Sequence, residues 1–134
     1  MPYYDEDYLT AQYDEELDAV VMEWHDFAQG TAFREGLDAG LRLVQKEGAE
    51  NWLADLREMG TVSNDDQEWS NTDWFPRAVE TSLAQMAIVQ PESVIANMSV
   101  ENIMQEVGDG ALRTHYFDTR SEAVQWLRSR SATV

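Results

Sequence analysis

Asn51-Trp52-Leu53-Ala54-Asp55-Leu56-Arg57-Glu58-Met59-Gly60 decides the fold, together with the run that follows it. That run is Thr61-Val62-Ser63-Asn64-Asp65-Asp66-Gln67-Glu68-Trp69, then Asn71-Thr72-Asp73-Trp74-Phe75-Pro76-Arg77 after one further serine. The first half is a short apolar strand, Trp52 to Leu56, reaching a carboxylate at its end. The second half is a helix capped by Ser63, with acids in its first turn where the helix dipole favours them. Pro76 cannot donate to the Thr72 carbonyl, so this helix is expected to kink or restart near Asp73. Trp69, Thr72, Phe75 and Val79 are expected to form one face, with Trp69 in the core; Trp74 points elsewhere on the helix and is either an exposed partner surface or, in a kinked segment, part of the core.

Similar strand-then-helix units extend in both directions. Upstream, Tyr8 to Tyr13 alternates like a strand, and Ala19 to Trp24 is β-branched and apolar. The short connection between them implies an antiparallel pair. Thr31 to Glu47 carries Phe33, Leu37, Leu41 and Val44 at helical spacing, with Thr31 as the expected cap and Gly48 as the stop. Gly36 and Gly40 lie four apart on one stripe, which suits close packing on a sheet. Downstream, Met86 to Val89 is a strand ended by Gln90-Pro91. Ser99 opens a helix with Val100, Ile103, Met104 and Val107 inward. Leu112 to Phe117 is the last strand, and Asp118 or Thr119 caps a final helix burying Ala123, Trp126 and Leu127. The order β-β-α-β-α-β-α-β-α predicts an α/β fold: an open mixed, mostly parallel five-stranded sheet with about four helices and the first strand added antiparallel.

The chain has 134 residues, which is one domain by size, with residues 1–7 and 129–134 expected to be loose. Hydrophobic residues make up 43%, enough for an ordinary core. The net charge of −17 would be repelled by phosphate backbones and anionic membranes, which argues against a nucleic-acid partner. Lys46 is the sole lysine and the other cations are arginines. Acidic, lysine-poor surfaces of this kind resemble those of salt-loving organisms; genomic base composition produces the same pattern. No cysteine is present, so there is no disulfide or cysteine zinc site. No apolar run approaches the roughly 20 residues needed to span a bilayer. A cytoplasmic protein without membrane insertion is expected.

Trp24 with Phe27, Trp52-Leu53-Ala54-Asp55, Ser63 followed by Trp69, and Trp74-Phe75-Pro76-Arg77 form an ordered set. Ala87-Ile88-Val89, Phe117-Asp118, Ala123 and Trp126-Leu127 continue it. From about Asp18 to Leu127 the chain resembles small bacterial proteins with a SpoIIAA-like fold. These are related in fold to STAS domains and more loosely to lipid-carrying SEC14-type domains. Anti-sigma-factor antagonists of that group usually carry an Asp-x-Ser-Gly segment whose serine is phosphorylated. Here no serine follows Asp55 until Ser63, and no glycine follows Ser63. Asp55 matches only the acidic residue at the strand end.

In open α/β sheets the ligand crevice lies beyond the carboxyl ends of the parallel strands. That edge collects His25, Asp26, Asp55, Arg57, Gln90 and Asp118. One reading is a polar pocket with Arg57 for an anion and Asp55 as acceptor or base, at the rim of any ligand pocket. The other is that Asp55 caps nearby amides and Arg57 pairs with it. His25 and His115 show no metal-ligand spacing, and His115 is expected to be partly exposed on its strand. Ser63 is explained by capping, and Asp65, Asp66 and Glu68 would repel a phosphate placed there. Trp69 and Trp74 are the aromatics with a claim on a ligand or partner surface.

No residue is assigned a catalytic role, and no cofactor or metal is expected. The resemblance implies a non-enzymatic protein-interaction or regulatory module. Two alternatives stand beside it. One is a carrier of a small apolar or amphipathic ligand under the Trp69–Phe75 helix; the other is an enzyme using Asp55, His25 or Asp118. The partner is accordingly a protein or a small ligand, with a homodimer among the expected assemblies.

Overall fold

The computed structural model describes residues 3–26, 28–59, 62–90 and 113–132. The expected helix from Ser99, together with Phe27, lies outside the described residues.

Six strands form one sheet in sequential order: β1 (Tyr4–Glu6), β2 (Leu9–Asp14), β3 (Ala19–Trp24), β4 (Asn51–Asp55), β5 (Gln85–Val89) and β6 (Arg113–Phe117). β1, β2 and β3 pair antiparallel, whereas β3 to β6 are parallel throughout. Among the described residues the sheet has six strands where five were expected. Tyr4–Glu6, read as a loose arm, adds an edge strand to β2 with Tyr4 opposite Ala11. β4 lies between two parallel neighbours and buries all five of its residues, which is why its sequence does not alternate.

The strands follow one another across the sheet. Right-handed crossovers therefore place successive helices on one face. That face carries α1 (Thr31–Glu47), then α2 (Asn64–Trp69), a π-helical segment (Ser70–Trp74) and α3 (Phe75–Ala78). The final helix α4 (Arg120–Ala132) covers the opposite face; it runs to Ala132, past the fraying expected at residue 129. Even-numbered strand residues face α1 in a core of Val20, Met22, Trp24, Trp52, Met86 and Ile88. Odd-numbered residues Ala19, Val21, Leu53, Ala87 and Val89 meet Ala123 and Leu127 of α4.

α1 sits close on the sheet through its glycines. A Cβ on Gly40 would stand 2.5 Å from the Trp52 ring and 2.7 Å from Met22 Sδ, and one on Gly36 would stand 2.5 Å from Leu9. The helix cap is Gly30 at φ 61°, not Thr31, because the chain turns into α1 through a left-handed conformation that glycine adopts without penalty. At the other end Gly48 closes α1 in the left-handed conformation expected of it, its N–H donating to the Val44 carbonyl.

Candidate functional site

The restart expected near Asp73 takes the form of the π-helical segment. The Phe75 N–H donates to the Ser70 carbonyl five residues earlier, and Pro76 follows at the start of α3. A wider turn before proline relieves the clash that its ring would make with a regular α-turn. It also changes which residues face inward. Asp66, Ser70, Trp74 and Ala78 are buried at a constant spacing of four, with Phe75 beside them. In a regular α-helix such a series drifts by about 40° per step; the π-helical turn absorbs the drift.

Trp74 takes the core role that a kinked segment offered it, whereas Trp69, expected in the core, stands at its edge. Trp74 is 1% exposed and its indole N–H donates to the Leu37 carbonyl at 3.0 Å. Trp69 is half-buried against the core edge, with the Arg34 and Arg77 guanidiniums 5.4 and 5.9 Å from its ring centroid. Thr72 and Val79, expected inward, are exposed.

Between this helical roof, α1 and the sheet lies a partly open apolar chamber of about 80 Å³. Trp24, Trp52, Ala54, Met86 and Ile88 form its sheet wall, Phe33 and Leu37 belong to α1, and Ser70, Trp74 and Phe75 come from the roof. Leu56, Met59 and Val62 close the side next to the end of β4. Trp74 stands edge-on to both Trp52 and Phe75, with ring centroids 5.1 and 4.9 Å apart. Among the described residues Ser70 brings the one hydroxyl of the lining, and it already donates to the Asp66 carbonyl at 2.9 Å.

The roof is fastened to α1 at both ends. Arg34 Nε donates to Asp66 Oδ1 at 3.1 Å, and Arg77 reaches Asp38 at 2.7 Å and Asp73 at 2.9 Å. Ser63 caps α2 by accepting from the Asp66 N–H at 3.2 Å, and its hydroxyl donates to Asp66 Oδ2 at 2.8 Å. The same carboxylate oxygen accepts from the Gly30 N–H, so buried Asp66 ties the starts of α1 and α2 together.

The polar residues at the strand ends lie on the other face. Asp55 is 2% exposed and is gripped by Arg57 in a fork, Nε to Oδ1 at 2.9 Å and Nη2 to Oδ2 at 2.8 Å. The Arg57 N–H also donates to Oδ1. Arg120, the first residue of α4, bridges Asp55 at 3.4 Å and Glu23 at 3.2 Å. Burial presses the Asp55 carboxyl towards its neutral form, but the hydrogen bonds and charge of Arg57, with the charge of Arg120, hold it below the usual carboxylate range. The hydrogen bond and charge of Asp55 raise the Arg57 guanidinium in turn.

The structure thus brings Asp55 and Arg57 together, but away from the chamber, because the side chain of Asp55 faces α4. Neither Asp55 nor Arg57 lines the chamber, so the chamber is not the pocket at whose rim the sequence reading set them. His25 is half-buried and its Nε2 bonds the Thr10 hydroxyl at 2.8 Å. His115 is exposed on β6 and stacks on Trp126 with centroids 4.7 Å apart. Of Asp55, Arg57, His25, Trp69 and Trp74, the candidates for ligand binding, Trp74 alone is among the described residues that line the chamber. The even-numbered residues of β3, β4 and β5 were the unused signal: they carry the bulky aromatic and sulfur side chains that meet one helix face. Among the described residues, no cluster of three or more metal-ligating side chains is found, and no helix is long and apolar enough to cross a membrane.

No protein-family model matches the chain, and no curated protein sequence matches it. Among solved structures, the chain is similar to an uncharacterised protein of the DUF3478 family with a SpoIIAA-like fold, from Shewanella loihica. The TM-score is 0.57 at 11% identity, covering 89% of this chain and 91% of that one. The fold is SpoIIAA-like, as the ordered residues of the sequence implied.

Proposed function

We propose that this protein is a non-enzymatic binding module of the SpoIIAA-like fold, and that its ligand is a small apolar molecule or group held in the chamber beneath the π-helical roof. The observation that carries the reading is the chamber itself: a partly open concave space lined, among the described residues, by aromatic, aliphatic and thioether side chains, with one hydroxyl whose donor is already used. Concave apolar sites of this kind are the usual location of small-molecule binding. A simple interaction module with an exposed Trp74 patch is less well supported, since Trp74 is buried. Acid–base chemistry at Asp55 is also less well supported. A carboxylate held ionised by two arginines is a weak general base at neutral pH.

Native mass spectrometry of the protein purified from its own host tests the reading. A retained small-molecule mass, lost in Ala54→Leu, is the expected result. Ligand-free protein recovered with a stoichiometric protein partner would overturn it in favour of an interaction module.

A further inference from the structure

We infer that the chamber selects an uncharged molecule with an apolar body and one hydrogen-bond acceptor, a carbonyl or hydroxyl oxygen, held by the indole N–H of Trp24 or Trp52; this rests on the binding-module reading above. Three indoles line the chamber, and they differ in one respect. The Trp74 N–H donates to the Leu37 carbonyl. Among the described residues, the N–H groups of Trp24 and Trp52 have no hydrogen-bond partner in the protein. Yet Trp24 is only 3% exposed and Trp52 only 2%. An indole N–H in so buried a side chain usually finds a partner. Without one it gives up hydration and gains nothing in return. Both N–H groups belong to the chamber lining, together with the Ser70 hydroxyl oxygen. Because the Ser70 proton goes to the Asp66 carbonyl, that oxygen is left as an acceptor for a ligand hydroxyl or amide. A lone water at either indole would face mostly apolar walls and find few further partners. An oxygen carried on an apolar body satisfies the donor and the walls together. The charge follows from the same lining. Among the described residues no charged side chain lines the chamber, and Arg34 and Arg77 are paired with carboxylates outside it. A carboxylate or ammonium group placed there would lose its hydration without a counter-charge.

The test uses three probes of one shape. They are methyl propyl ketone, the alkene in which a methylene group replaces its oxygen, and butanoate, in which a charged oxygen replaces its methyl group. The readout is the indole N–H resonances of Trp24 and Trp52 in the full chain. The ketone should move at least one of them downfield, saturably, as a new hydrogen bond does, and the alkene should move neither downfield. Butanoate should bind at least tenfold more weakly than the ketone. Trp24→Phe combined with Trp52→Phe keeps aromatic walls but removes both donors. It should weaken the ketone about tenfold and the alkene by less than about threefold, the hydrogen bond being the difference. The alkene thus controls for the altered shape of the walls. If the double variant does not fold, at least one of the single variants should show the same contrast, and the wild-type resonances decide without any variant. An absent downfield response to the ketone overturns the inference. So does equal weakening of ketone and alkene in the folded double variant, or butanoate binding as tightly as the ketone. A host ligand retained in native spectra that is charged, or that lacks an acceptor, overturns this inference and leaves the binding-module reading standing. The expected ketone response in a protein that retains only a protein partner would do the reverse.

Discussion

At the residue scale, four side chains have consequences that burial and pairing decide. Trp74 and Trp69 are five apart on one helical roof, yet one is core and the other a half-exposed platform for two arginines. Trp74→Ala should cost about 3–5 kcal/mol, the usual range for truncating a buried large aromatic, and Trp69→Ala well under half of that. Urea unfolding of the two variants compares them directly, and equal losses would contradict the burial assignment. Ser63→Ala removes the acceptor of the Asp66 N–H and should cost about 1 kcal/mol. Ligand binding should be unchanged, because Ser63 does not line the chamber. Asp55 sets an acid limit. Its folded pKa is depressed, so its contribution is complete above the unfolded value of about 3.9 and is lost as pH falls through the folded value. In Arg57→Ala the burial penalty meets less opposition, the carboxyl rises, and acid unfolding should begin at higher pH. The neutral-pH loss should be about 1–2 kcal/mol, below the 3–5 typical of a broken buried pair, because the guanidinium is partly solvated. Tryptophan fluorescence during acid titration checks the shift; coincident curves for variant and wild type would refute it.

At the element scale, the contact between α1 and the sheet shows two physical terms in opposition. Replacing Gly40 with Ala would gain up to about 1 kcal/mol of helix propensity. The added methyl would stand 2.5 Å from the Trp52 ring and 2.7 Å from Met22 Sδ. Overpacking of this kind typically costs about 1–3 kcal/mol. Gly40→Ala should therefore be destabilising on balance, by on the order of 1 kcal/mol, and a denaturant midpoint at or above the wild-type value would show that α1 can lift away. The sequence made the opposition legible, since two glycines four apart in an amphipathic helix need a close neighbour. It did not make the roof legible. Trp69, Thr72, Phe75 and Val79 fit a regular helical stripe, whereas the buried set follows a spacing of four through a π-helical turn. Pro76 signalled a break in the helix, but not the extra residue that the break would accommodate.

At the scale of the whole molecule, 26 acidic residues face nine basic ones. About 1 M salt shortens the screening length to roughly 3 Å and weakens both net repulsion and the surface ion pairs. Repulsion is the larger effect here, because exposed pairs such as Arg77 with Asp38 contribute little each. The midpoint of thermal unfolding should rise with sodium chloride; an unchanged or lower midpoint would mean that the pairs dominate. The order of elements along the chain, the parallel core and the buried centre at β4 were all legible in the sequence, because apolar periodicity and the alternation of strand with helix act on any such chain. The sixth strand was not, since three polar residues at an edge carry almost no strand signal and form one by pairing with β2. Nor was the separation of Asp55 and Arg57 from the chamber. Which sheet face a strand-end side chain occupies depends on register and on the return of α4 to the opposite face. Only the packed fold sets these two together, placing an ion-pair clamp on one side of the sheet and an apolar space on the other.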